Sequence, residues 1–112
     1  MSSASLNEIF WQTVVDTCGS TKIDPSCQLF LQAWISNGVQ LMQDENRLKP
    51  EDIETAKNSL KTFVEIMKDE AVRAGATRLD IKSFRAAERV CQRKSMITVY
   101  SLWPFWPHTV TG

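Results

Sequence analysis

The chain carries a single histidine, His108, and it stands in the stretch YSLWPFWPH at positions 100–108. A serine or threonine nucleophile needs a base within hydrogen-bond reach, itself oriented by a third group. A lone imidazole next to proline is a poor start for that. No G-x-S-x-G elbow, glycine-rich phosphate loop or dinucleotide fingerprint occurs along the sequence. The three cysteines, Cys18, Cys27 and Cys91, form no C-x-x-C pair. A zinc site wants four nitrogen or sulfur ligands, usually with two close in sequence. Each cysteine instead falls on an apolar stripe at helical spacing and reads as a small buried hydrophobe. Their odd number argues against a disulfide framework and for a reducing compartment, so a cytoplasmic location is expected. Residues 44–54, DENRLKPEDIE, bunch acids without the glycine turn and ligand order of a calcium loop. No metal and no cofactor are expected. Carboxylates in a cleft remain the one catalytic alternative, because environment alone can set their roles.

Two features stand out once catalysis is set aside. Arg78, Lys82, Arg85, Arg89 and Arg93 recur at spacings of four, three, four and four. At ~100° per residue they share one arc of about 80°, opposite Phe84, Ala87 and Cys91. Arginine forks suit bidentate phosphate or carboxylate contacts, and such a face could follow a nucleic-acid backbone. It could equally be a solvated face, with Glu88 pairing Arg85 and an acidic arc of Glu51, Glu54, Glu65 and Asp69 neutralising the rest. The second feature is aromatic. Tyr100, Trp103, Phe105 and Trp106 surround Pro104 and Pro107, which hold φ near −65° and keep the chain out of helix. Rings of this size bury ~150–250 Å² each, and a monomer avoids leaving such a patch in water. The segment is therefore expected to fold over the core as a lid or to anchor on another chain. A role at a membrane interface is less apt, since no lysine or arginine flanks these rings. Base stacking on them, fed by the arginines, would be a single-strand binding mode.

The elements that must position these residues can be read from composition and periodicity. A chain of 112 residues with 43% hydrophobic and 23% charged residues is one ordinary globular domain, 1–112. No apolar run approaches the ~18 residues of a membrane span, and MSSASLNEIFW lacks the pattern of a secretory signal. The net charge of zero divides unevenly. Residues 1–70 hold eleven acids against six bases, and residues 71–112 hold seven bases against two acids.

Four helices are predicted, at about 5–18, 25–43, 50–74 and 79–95. The first opens on a capping-box pattern, Ser5-Leu6-Asn7-Glu8, and buries Leu6, Phe10, Val14, Val15 and Cys18. The second starts at Asp24-Pro25 and buries Cys27, Phe30, Leu31, Trp34, Gly38, Leu41 and Met42. The third follows Lys49-Pro50 and buries Ile53, Ala56, Leu60, Phe63, Val64, Met67 and Ala71. Its wet side offers ion pairs Glu54–Lys57, Lys61–Glu65 and Glu65–Lys68. The fourth turns Ile81, Phe84, Ala87 and Cys91 inward. Gly19 and Gly75 supply helix stops. No strand signal and no internal repeat are apparent, although MITVYSLW at 96–103 reads as either helix or extended chain. The fold expected is all-α, an antiparallel four-helix bundle with the proline-containing aromatic segment 96–112 packed on it. The function expected is a non-enzymatic protein–protein interaction module, self-association as a homodimer included. The alternatives are a nucleic-acid-binding protein and a small carboxylate enzyme.

Overall fold

Proline opens two helices of this chain and glycine closes two. The computed structural model describes residues 3–93, in the order α1 (Ser3–Cys18), β1 (Lys22–Ile23), α2 (Pro25–Asp44), α3 (Pro50–Arg73), β2 (Arg78–Leu79) and α4 (Ile81–Arg93). Pro25 and Pro50 are the first residues of α2 and α3, where the missing N–H removes no intrahelical bond. Gly19 and Gly75 follow α1 and α3 with φ of 58° and 74°, a left-handed turn that side chains with a Cβ resist. The all-α class holds, with one addition: β1 and β2 pair in parallel, Lys22 opposite Arg78 and Ile23 opposite Leu79. The Asp24 N–H continues the ladder by donating to the Leu79 carbonyl at 2.8 Å.

That pairing exposes an internal repeat where none was expected. Gly19-Ser20-Thr21-Lys22-Ile23-Asp24 and Gly75-Ala76-Thr77-Arg78-Leu79-Asp80 share the pattern Gly-x-Thr-(Lys/Arg)-(Ile/Leu)-Asp. Each hexapeptide performs the same tasks in order. Its glycine leaves a helix, its basic and aliphatic residues form a strand, and its aspartate caps the next helix. Asp24 accepts from the Ser26 N–H and hydroxyl, and Asp80 Oδ1 accepts from the Ser83 N–H at 2.8 Å and hydroxyl at 2.9 Å. The chain is thus two helix–strand–helix halves joined through their strands. A two-residue strand is too short to show alternation, which is why periodicity missed it.

α1 packs against α2 and α3, and α3 packs also against α4. The core they enclose is Leu6, Phe10 and Val14 from α1, Leu31, Ile35 and Met42 from α2, Leu60, Phe63 and Met67 from α3, and Leu79, Phe84 and Cys91 from the last half. At one end of it the Phe84 ring centroid lies 4.8 Å from Phe30, 5.0 Å from Trp34 and 5.1 Å from Phe63, each in edge-to-face contact. This is the arrangement the ring quadrupoles favour. No described helix is long and apolar enough to cross a membrane.

Several expectations need correction. α1 begins at Ser3, so Ser5 lies within it and is not its cap. α4 begins at Ile81, and Leu79 belongs to β2. Val15, Leu41 and Ile81 are exposed by 40%, 37% and 37%, while Ile35, Val39 and Val90 are buried in their stead. α2 has neighbours on two sides, α1 and α4. Its buried face is therefore broader than one stripe and shifted toward Ile35 and Val39. α2 runs unbroken through the buried Gly38 to Asp44. The stretch 96–103, His108 and the four predicted aromatic anchors (Tyr100, Trp103, Phe105 and Trp106) lie outside the described residues.

Candidate functional site

Along the seam of α1 and α2 two adjoining depressions share the Trp11 side chain. One, of about 240 Å³, is lined by Asn7, Glu8, Trp11, Gln32 and Ile35. The other, of about 400 Å³, is lined by Trp11, Val15, Cys18, Gly19, Thr21, Lys22, Ile23 and Gln28. The spacing of residues 7, 8, 11 and 15 keeps them on one face of α1, and that of 28, 32 and 35 does the same on α2. The result is a groove with an indole and aliphatic centre and carboxamide edges. Trp11 and Ile23 are partly buried against the core, whereas Leu29, further out on α2, is 70% exposed. The Asn7 Oδ1 atom is buried and has no hydrogen-bond partner. Stripe counting overlooked Trp11, because the burial arc was drawn through Phe10 and Val14. Its spacing of four from Val15 was the signal available.

The predicted basic residues are placed on two elements. Arg78 belongs to β2, and Lys82, Arg85, Arg89 and Arg93 belong to α4. All five are exposed. The acidic arc of α3 (Glu51, Glu54, Glu65 and Asp69) is also exposed, and the basic residues find other partners. Arg78 lies 3.9 Å from Asp24 across the strand pair. Arg85 donates to Glu88 at 2.9 Å, as expected, and its guanidinium also lies 5.5 Å from the Phe30 ring centroid and 5.8 Å from that of Phe84. Arg85 is therefore held down over the aromatic cluster, while Lys82 and Arg89 border a cleft with Glu70 and Asp80. On α3, Glu54 and Lys57 pair at 3.7 Å. Lys68 does not serve Glu65 in the way predicted: its Nζ donates to the Thr17 carbonyl at 3.0 Å, where the last carbonyls of α1 attract a cation.

The thiols are sealed in the core, and the partnered carboxylates serve caps and ion pairs. Burial pushes the Cys27 thiol up to about 12, with the Asp80 and Asp24 carboxylates adding to the effect. Burial and the Glu88 carboxylate push Cys91 up to about 11. Cys18 is also raised by burial, with Lys68 opposing. Thiols of this kind carry almost no thiolate at neutral pH, and the thiolate is the nucleophile and the metal ligand. Asp24 is held below the usual carboxylate range, chiefly by the Ser26 hydroxyl, with Arg78 assisting. Glu88, the most buried acid described, is tied to Arg85. Among the described residues no group of three or more His, Cys, Asp or Glu is placed to hold a metal ion. No protein-family model matches the chain, and neither a characterised protein nor a solved structure matches it.

Proposed function

We propose that the protein is a non-enzymatic protein–protein interaction module that docks its partners along the α1/α2 groove. The observation that carries this reading is the row of exposed Val15 beside half-buried Trp11 and Ile23, which lines a depression between polar edges. Amphipathic rings in a partly desolvated pocket, rimmed by polar groups, are the usual anchors of protein interfaces. In this reading the helices form an antiparallel bundle, and Tyr100, Trp103, Phe105 and Trp106 supply additional aromatic surface to it. A second copy of the chain is the first partner to test, and the unpaired buried thiols suit a cytoplasmic setting.

Light scattering over a range of concentrations, on the full chain and on Val15→Glu, tests the proposal. Val15 is 40% exposed, so a carboxylate there is tolerated by the fold but poisons an apolar contact. The expected result is an assembly, with itself or with a captured partner, that Val15→Glu dissolves. A chain that stays monomeric throughout and binds nothing that Val15→Glu fails to bind refutes it.

A second reading rests on the exposed Lys82, Arg89 and Arg93: binding of a nucleic-acid backbone by the outer face of α4, with Arg78 and Arg85 at its margin. Its signature is an affinity for oligonucleotides that falls linearly in log–log with salt. No binding at low salt removes it.

A further inference from the structure

We infer that the outer face of α4 docks on the outer face of α3 of a second copy of the chain, the two helices antiparallel and held by opposite charge. This contact uses none of the α1/α2 groove and goes beyond the reading given for it.

Both faces are left unneutralised within the molecule. On α4, Arg85 is taken by Glu88, but Lys82, Arg89 and Arg93 are exposed and no ion pair among the described residues holds them. On α3, Glu65 and Asp69 are exposed in the same state, and Glu54 has only the partly exposed Lys57 at 3.7 Å. The buried residues of each helix, Leu60, Phe63 and Met67 on α3 and Phe84, Ala87 and Cys91 on α4, lie on the opposite side, so both charged rows point away from the core. Arg85, Arg89 and Arg93 follow one another at steps of four, a spacing at which like charges destabilise a helix. Glu65 and Asp69 repeat that strain on α3. A row of opposite sign laid alongside relieves both.

The two rows also match in length. Glu54 and Glu65 are eleven residues apart, and so are Lys82 and Arg93. Eleven residues make close to three full turns, about 16 Å, so each pair stands on one line along its helix. Set antiparallel, Lys82 meets Glu65 and Arg93 meets Glu54, while Arg89 falls opposite exposed Asn58, whose carboxamide oxygen accepts from a guanidinium. The same register brings Arg78, four residues before Lys82, to Asp69, four after Glu65. A parallel arrangement, with Lys82 on Glu54 and Arg93 on Glu65, sets Arg85 on Lys57 and Arg89 on Lys61, base on base. The pattern therefore selects one orientation. A nucleic-acid backbone would answer the basic row alone, whereas a second copy answers both. The zero net charge of the chain removes the overall repulsion that keeps copies apart. Because the acidic face of one copy meets the basic face of another, the contact is heterologous and repeats into a ring or an open row.

Sedimentation velocity on the full chain tests this at about 0.01 M and about 1 M salt, between which the screening length falls from about 30 Å to about 3 Å. The expected result is an association at low salt that weakens about tenfold at high salt, the worth of a few exposed ion pairs acting together. One variant reverses the acids (Glu54→Lys, Glu65→Lys, Asp69→Lys) and another the bases (Lys82→Glu, Arg89→Glu, Arg93→Glu). All six positions are exposed, and far-ultraviolet circular dichroism checks that each variant is folded. Each alone should lose the salt-dependent association, and an equimolar mixture should regain it, since every face then finds its opposite on the other variant. A full chain with no salt-dependent association overturns the inference, even if it binds oligonucleotides. So does an association that either variant keeps, or a mixture that stays apart. Should a triple variant unfold, Glu65→Gln and Lys82→Gln tested singly take its place. Each should weaken the low-salt association about two- to threefold, and wild-type strength in both overturns the inference. Val15→Glu should leave this association intact, and the groove reading is judged at about 1 M salt, where exposed ion pairs are screened. Either reading can then fail without the other.

Discussion

Replacing Phe84 by alanine tests the packing on which every surface of this molecule depends. The ring is 2% exposed and meets Phe30, Trp34 and Phe63 at centroid distances of 4.8–5.1 Å. Truncating a buried phenylalanine costs about 3–5 kcal/mol in lost transfer energy and residual cavity. Edge-to-face partners each contribute ~0.5–1.5 kcal/mol beyond area, but they share one ring and do not add, so about 4 kcal/mol is a fair expectation. A domain of 112 residues has a total stability of about 6–17 kcal/mol by the usual per-residue range. The substitution therefore removes between a quarter and two thirds of it. With a urea slope of ~2 kcal/mol/M, the midpoint should fall by about 2 M. Urea titration followed by far-ultraviolet circular dichroism measures this without relying on tryptophan, whose environment the substitution itself alters. Phe84→Leu is the control, keeping most of the volume while losing the ring quadrupole, and should cost clearly less. A midpoint shift for Phe84→Ala no larger than that of an exposed substitution would refute the placement of Phe84 at the junction of α2, α3 and α4.

Further outcomes follow from caps, charges and thiols. Asp80→Ala removes the acceptor for the Ser83 N–H at 2.8 Å and should cost about 1 kcal/mol in the same titration, as helix caps do; no loss would mean the cap is dispensable. Asp24 has its carboxyl lowered from 3.8, first by the Ser26 hydroxyl. Its charged form therefore stabilises the fold above its unfolded pKa, and that contribution disappears as pH falls through the lower folded value. Asp24→Asn should accordingly be less stable than wild type at pH 7, with the gap closing as pH falls below 4; a gap independent of pH would contradict the charge-based account. Cys27 and Cys91, pushed up to about 12 and about 11, should resist alkylation at pH 7 in the native protein and react once urea unfolds it. Rapid native labelling of either would show that the site is open.

The helices were legible because their punctuation is local. Pro25, Pro50, Gly19 and Gly75 act through their own φ angles, and the inward face of α3 followed directly from Ala56, Leu60, Phe63, Val64, Met67 and Ala71. Burial at the margins was not legible. Whether Val15 or Ile35 faces the core depends on the azimuth at which α1 meets α2, a property of the assembled helices that a single stripe does not contain. The strand pair was hidden for a different reason. Its signal is a six-residue likeness at positions 19–24 and 75–80, visible only when distant segments are set side by side. The basic series read as one helix face was a partial misreading, since Arg78 keeps the same angular phase while belonging to a strand. Lys68 gave up its expected neighbour for the Thr17 carbonyl, a contact that arises only when α1 and α3 are packed together.

The parallel strand pair also imposes a timetable on the newborn chain. Lys22 must wait for Arg78, 56 positions behind it, and a ribosome adding ~5–20 residues per second needs about 3–11 s to deliver that partner. Part of that interval passes after α2 is complete at Asp44 but before α3 and α4 exist to cover the apolar faces that α1 and α2 present. The first half of this protein therefore spends seconds as a sticky hairpin of helices. Slowing translation between codons 45 and 78 should lower the soluble yield more than slowing it anywhere after β2.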